Sequence, residues 1–184
     1  LLHMGCDGAH VARPGGSGGT MRIGGDWLNH PGTQGLCAAI EAAGHQALLV
    51  GGCVRNALMG LEVADLDLAS DATPDVVTRI AQAAGFRVVP TGLDHGTVTV
   101  IAHRRPHEVT TFRRDVETFG RHATVAFATD VAQDAARRDF TMNALYADAR
   151  GQVIDPVATD QDPPLARRIQ ARDHAQQRRL AAAG

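Results

Sequence analysis

The sequence predicts one globular domain that mixes short helices with short strands, and three observations carry that expectation. The chain has 184 residues, of which 44% are apolar, enough to fill a single core without crosslinks. Some segments repeat apolar residues at helical spacing, while others are short stretches rich in β-branched residues. The first twenty residues follow neither pattern.

Residues 1–20 (LLHMGCDGAHVARPGGSGGT) are rich in Gly, show no period and are expected to be disordered. The domain is expected to begin near Met21. From Pro31 to Ala43, Leu36, Ala39, Ile40 and Ala43 share one helical face, and Gly44 stops the helix. ALLV (47–50) reads as a buried strand ending at Gly51-Gly52, and CVRNALMG (53–60) as a short helix closed by Gly60. ADLDLAS (64–70) is the next strand. Thr73, Pro74 and Asp75 supply a capping hydroxyl, a first-position proline and a first-turn acid for a helix running to about Ala84. FRVV (86–89), TVTVIA (97–102) and HEVTTF (107–112) read as strands. Residues 113–125 read as a charged loop, 130–138 as a helix, and GQVID (151–155) as a last short strand.

Net charge is −2, so no global basic field marks a nucleic-acid partner. Cys6, Cys37 and Cys53 match no disulfide or metal spacing, which suits a reducing, cytoplasmic setting. No apolar run approaches the ~20 residues of a membrane helix, so no membrane association is expected.

Asp65 and Asp67 stand one residue apart in an apolar run. On a strand both point to one face while Leu66 and Leu68 point to the other. Two such carboxylates are close enough to share hard divalent cations, the arrangement used in two-metal phosphoryl transfer. An isolated Asp-x-Asp fits a solvated strand edge equally well. Upstream, Gly51-Gly52 lie between strand and helix, where glycine lets a phosphate approach the backbone closely. Arg55 is expected in the first turn of that helix, where a cation opposes the dipole unless an anion binds. A tight turn with a solvated arginine is the alternative. In ARRDFTMNAL (136–145) the adjacent arginines project to different sides, so one of them at most reaches a given site. The charges bracketing Phe140 point to a buried polar cluster, and arginine suits the gripping of a triphosphate. A charged helix end at the surface is the bland counterpart.

The ordered set VGGCVRNALMG (50–60), ADLDLASDATP (64–74), GLDHGTVTV (92–100), EVTTFRRD (108–115) and RRDFTMNALY (137–146) resembles the head domain of the class II tRNA nucleotidyltransferases and poly(A) polymerases, the bacterial CCA-adding enzymes. The resemblance covers about 44–156. It implies an α+β, polymerase-β-like nucleotidyltransferase fold, a small mixed or antiparallel sheet with helices on one side. It further implies Mg²⁺ on Asp65 and Asp67; Glu108, on the strand expected beside them, is the candidate for a third catalytic carboxylate, with a structural role as the alternative. Gly51, Gly52, Arg55 and Arg138 would hold the nucleotide, and Asp139 and Asn143 would orient the ribose or Arg138. The implied reaction adds CMP or AMP from CTP or ATP to the 3′ end of an RNA, a tRNA by kinship, and releases pyrophosphate. His95 is expected to be a loop residue near the site.

Two departures stand out. Asn56 occupies a position where the family more often has Asp, and its amide can bond backbone or Arg55. Past Asp155-Pro156 the family's neck motif, body and tail are not recognisable. Residues 157–184 form an atypical basic segment, with five arginines against Asp173 from 163 onward. The expectation is therefore a head domain (21–156) carrying metal and triphosphate sites without the base-selecting element. The rival expectation is a head-domain remnant that binds nucleotide or RNA without polymerising.

Overall fold

The computed structural model describes residues 10–12, 21–116, 124–138 and 143–157. A seven-stranded mixed sheet forms the frame. In chain order its strands are β3 (Leu48–Val50), β4 (Asp67–Ser70), β5 (Arg87–Val89), β6 (Thr97–Ala102), β7 (Arg105–Thr111), β10 (Tyr146–Ala147) and β11 (Val153–Ile154). Their spatial order is β11-β10-β3-β4-β7-β6-β5. Within it β4 and β7 run parallel, with Asp67 opposite Glu108, and the other pairs are antiparallel.

Each face of the sheet is built by strand alternation. Leu49 packs with Cys53, Val54, Ala57 and Leu58 of α3 (Gly52–Leu58) and with Trp27 and Leu28 of α1 (Asp26–Asn29). On the same side, Leu68, Val98, Val100 and Val109 meet Leu36, Cys37 and Ile40 of α2 (Pro31–Ala42) and Val77 and Ala81 of α4 (Pro74–Ala83). Thus four helices cover one face, as the resemblance implies. Leu48, Val50, Ala69 and Tyr146 point the other way, onto Phe112, Ala128 and Ala135 of α5 (Val131–Ala136). Among the described residues the second face is covered by this cluster at one end, and its β4–β7 middle carries the acids.

Several expectations change in detail. β4 begins at Asp67 and not at residue 64, because β3 pairs with it through Leu48 and Leu49 alone before Gly51 turns the chain away. Residues 64–66 keep a neighbour on the β7 side, where Glu108 N donates to the Leu66 carbonyl at 3.0 Å. Residues 113–125 are not simply loop: β8 (Arg113–Val116) and β9 (Thr124–Phe127) form an antiparallel ribbon. Charge concealed these strands, since the ribbon is tied through backbone at its base, Ala128 N donating to Phe112 O at 2.7 Å. The expected helix at 130–138 is shorter, with the Asp130 carboxylate capping it by accepting from Ala132 N. Thr73 is the N-cap of α4 without a side-chain bond. His10–Ala12 form β1, antiparallel to β2 (Arg22–Gly24); the other residues of 1–20, and 158–184, lie outside the described residues.

Candidate active site: acids on the open face, arginines on the flank

Asp65, Asp67 and Glu108 line one cavity of about 310 Å³ on the open face of the sheet. Alternation puts them there: Leu66 and Leu68 are buried on the helical side, and so is Val109 beside Glu108. The parallel register then sets Asp67 directly against Glu108. Burial raises the Asp67 pKa above its ordinary value, and the charges of Glu108 and Asp65 raise it further, against the pull of Arg138. This acid cluster is thus under-compensated by the protein's own cations. Among the described residues no three His, Cys, Asp or Glu side chains converge as a ready-made metal centre. Mg²⁺ does not need one, because it is typically held by one or two carboxylates together with water and substrate phosphates. The donor set and its surplus negative charge fit such an ion.

Gly51 adopts φ 72°, ψ −123°, a conformation open to glycine and hostile to other residues. It lets the chain turn from β3 into α3 beside two arginines: a Cβ there would lie 3.9 Å from Arg138 Nη1, and one on Gly52 would lie 3.9 Å from Arg55 Nη2.

Arg55 departs from expectation. Because α3 starts at Gly52, Arg55 is its fourth residue and sits in the last turn, where the dipole argument does not apply. Two asparagines hold its guanidinium. Nη1 donates to Asn143 Oδ1 at 2.9 Å, and Nε and Nη2 donate to Asn56 Oδ1 at 3.2 and 3.1 Å. Asn56 in turn donates to the Glu62 carbonyl at 3.0 Å. The amide at position 56 therefore makes both kinds of bond open to it.

Arg138 belongs to a buried network that its motif does not contain. Asp134, 1% exposed, accepts from Arg138 Nη2 at 2.9 Å, Arg138 Nε at 3.2 Å and Tyr146 Oη at 2.7 Å through one oxygen, and from Arg113 N at 3.0 Å through the other. Arg138 also donates to Tyr146 Oη at 3.1 Å and, more weakly, to the Asn143 carbonyl at 3.5 Å. Asn143 thus touches both arginines, one through its side chain and one through its backbone. Arg137 points elsewhere, to Asp115 at 3.4 Å; it is the C-cap of α5, which ends before both arginines, so the expected helical rotation does not account for their divergence. Asp139 and Phe140 lie outside the described residues. His95 ends a short 3₁₀ turn (Leu93–His95), and its carbonyl accepts from Arg113 Nη1.

Sequence reasoning missed Asp134 and Tyr146. The available signal was an acid four residues before Arg138 in a helical segment, the spacing that brings side chains together on a helix.

Comparison with known proteins agrees with this layout. Residues 47–164 match the model of the poly A polymerase head domain. The CCA-adding enzyme of Bacillus pumilus (strain SAFR-032) is 41% identical over 139 residues, covering 73% of this chain and 34% of that protein. The Bacillus stearothermophilus CCA-adding enzyme solved in complex with CTP superposes with TM-score 0.59 at 36% identity, over 68% of this chain and 29% of that one. A tRNA nucleotidyltransferase complexed with a primer tRNA and an incoming ATP analog superposes with TM-score 0.50 at 28% identity, over 65% and 34%. The chain spans about a third of the length of the curated relatives it matches. A glycine turn flanked by two held arginines, an Asp-x-Asp facing a parallel-strand Glu, and a match running through all of them place this chain in the poly A polymerase head-domain family.

Proposed function

We propose that this chain carries the nucleotidyl-transfer site of a CCA-adding or poly(A)-adding enzyme, which joins CMP or AMP from CTP or ATP to an RNA 3′ end and releases pyrophosphate. The observation that carries the reading is the placement of Asp65, Asp67 and Glu108 on one open cavity, flanked by a glycine turn with two immobilised guanidinium groups. Asp65 and Asp67 are the metal ligands in this reading. Magnesium, when bound, would lower the pKa of the attacking hydroxyl and neutralise charge on the departing pyrophosphate. Arg138 and Arg55 grip the triphosphate through paired N–H donors, and Gly51 and Gly52 let it lie against the backbone. Asn143 sets both arginines, and Glu108 serves as a third acid beside the hydroxyl. No covalent intermediate on the protein is required. Positioning and charge stabilisation are the whole contribution.

The free thiols of Cys37 and Cys53 are buried and raised by that burial to about 12 and about 11. Thiols so inert suit a reducing compartment such as the cytoplasm. No helix among the described residues is long and apolar enough to cross a membrane.

The test uses purified chain, Mg²⁺, labelled CTP or ATP, and a tRNA lacking its terminal nucleotides. Incorporation supports transfer. Mg²⁺-dependent triphosphate binding without extension identifies the chain as a binding remnant. Asp67→Ala should lower incorporation at least about a hundredfold, the usual cost of one preorganised electrostatic contact, with the fold intact by circular dichroism. Near-normal turnover in that variant refutes the metal assignment.

A further inference from the structure

The two arginines beside the glycine turn are held in different ways. Arg138 meets a carboxylate: Nη2 donates to Asp134 Oδ2 at 2.9 Å, and the pair is formally neutral. Arg55 meets amides. Asn56 Oδ1 takes the fork formed by Nε and Nη2, and Asn143 Oδ1 accepts from Nη1. Among the described residues Arg55 forms no ion pair.

Elementary chemistry fixes which way each amide faces. A guanidinium has five N–H donors and no acceptor, so only the oxygen ends of Asn56 and Asn143 can lie against it. The amino end of Asn56 is turned to the Glu62 carbonyl, which accepts at 3.0 Å. Asn56 is thereby bonded at both ends, and it holds the guanidinium in one orientation. The amides engage one N–H on each guanidinium nitrogen, which leaves a second on Nη1 and on Nη2. Nη2 lies on the side of the glycine turn, 3.9 Å from where a Cβ of Gly52 would stand.

An aspartate at 56 or 143 would accept from the same donors and cancel the charge. An asparagine accepts from them and leaves the charge intact. Resting on the nucleotidyl-transfer reading above, we propose that Asn56 and Asn143 form a neutral cradle that aims Arg55 without cancelling its charge. Arg55 is then the net cation that this flank offers the triphosphate, while Arg138, matched by Asp134, supplies directed donors. Both asparagines are positioning residues, acting on the nucleotide through Arg55.

The experiment measures CTP affinity of the whole chain with Mg²⁺, by titration calorimetry at low and high salt, for wild type, Asn56→Asp, Asn143→Asp and Asn56→Ala. A carboxylate against Arg55 should weaken CTP binding about tenfold or more at low salt, and the loss should shrink as added ions screen the new charge. Asn56→Ala removes the fork and adds no charge, so it should cost less than Asn56→Asp. Both variants at position 56 lose the Glu62 bond, and the difference between them reads the charge. Urea midpoints show that each variant is folded, and Asn143→Asp carries the test where Asn56→Asp does not fold. The proposal is overturned by wild-type CTP affinity in a folded aspartate variant, by a loss in Asn56→Ala equal to that in Asn56→Asp, or by a loss that salt leaves untouched. A wild-type chain that does not bind CTP sinks the nucleotidyl-transfer reading instead, so the two failures are separable.

Discussion

The acid cavity and the arginine network lie side by side and are built on opposite electrostatic principles. Every oxygen lone pair that matters on Asp134 is engaged, and Arg138 is tied to Asp134, Tyr146 and the Asn143 carbonyl. Asp67 has the reverse situation: burial and two neighbouring carboxylates raise its pKa, and Arg138 only partly offsets them. A satisfied network is rigid, so its cation is already aimed before any ligand arrives. An under-compensated cluster raises the energy of the empty protein and releases that energy when a cation binds. The arginine side is constructed for orientation and the acid side for affinity toward positive charge.

The largest test of that contrast removes Asp134. Asp134→Ala leaves Arg138 partly buried without its partner and should lower stability by about 3 kcal/mol or more, read from urea unfolding. A loss below about 1 kcal/mol would mean the network is not what organises this flank. Tyr146→Phe is milder. It deletes one hydroxyl while Asp134 keeps Arg138 and the Arg113 amide, so about 1–2 kcal/mol should be lost in the same measurement.

The acid side should respond with the opposite sign. A carboxyl whose pKa is raised by folding makes the folded protein less stable as pH climbs from the ordinary Asp range through the raised value. Asp67→Asn should therefore raise the thermal midpoint of the metal-free protein at neutral pH, and the gain should vanish below about pH 4, where the unfolded Asp is also protonated. A lower midpoint at pH 7 would show that the cluster is not under-compensated.

His107 gives the smallest test and lies outside both regions. It is fully buried, within 3.0 Å of Thr33 Oγ1, and burial lowers its pKa. A depressed imidazole costs stability as pH falls below the ordinary histidine value of about 6.5, because the unfolded chain takes the proton first. Stability should decline as pH falls below about 6.5, and His107→Gln should flatten that limb.

Much of the site was legible because its determinants are local. Asp65 and Asp67 share a face by strand alternation, and Gly51 announces a turn. Arg55 was misplaced because the helix runs Gly52–Leu58 and not 53–60, and the earlier start and earlier end together move it from first turn to last. Arg113–Val116 concealed a strand, since its side chains lack alternation and its pairing depends on backbone bonds to a distant segment.

What the sequence by itself determined is which side chains face which way along each element, since that follows from the backbone period of one strand or one helix. Only the tertiary structure decided which elements stand next to each other. It set Glu108 against Asp67 across a parallel pair and joined Asp134 to Tyr146 across twelve residues of chain. These outcomes depend on strand order and on which charges lack partners once the core has closed, and neither quantity exists until distant segments are packed together.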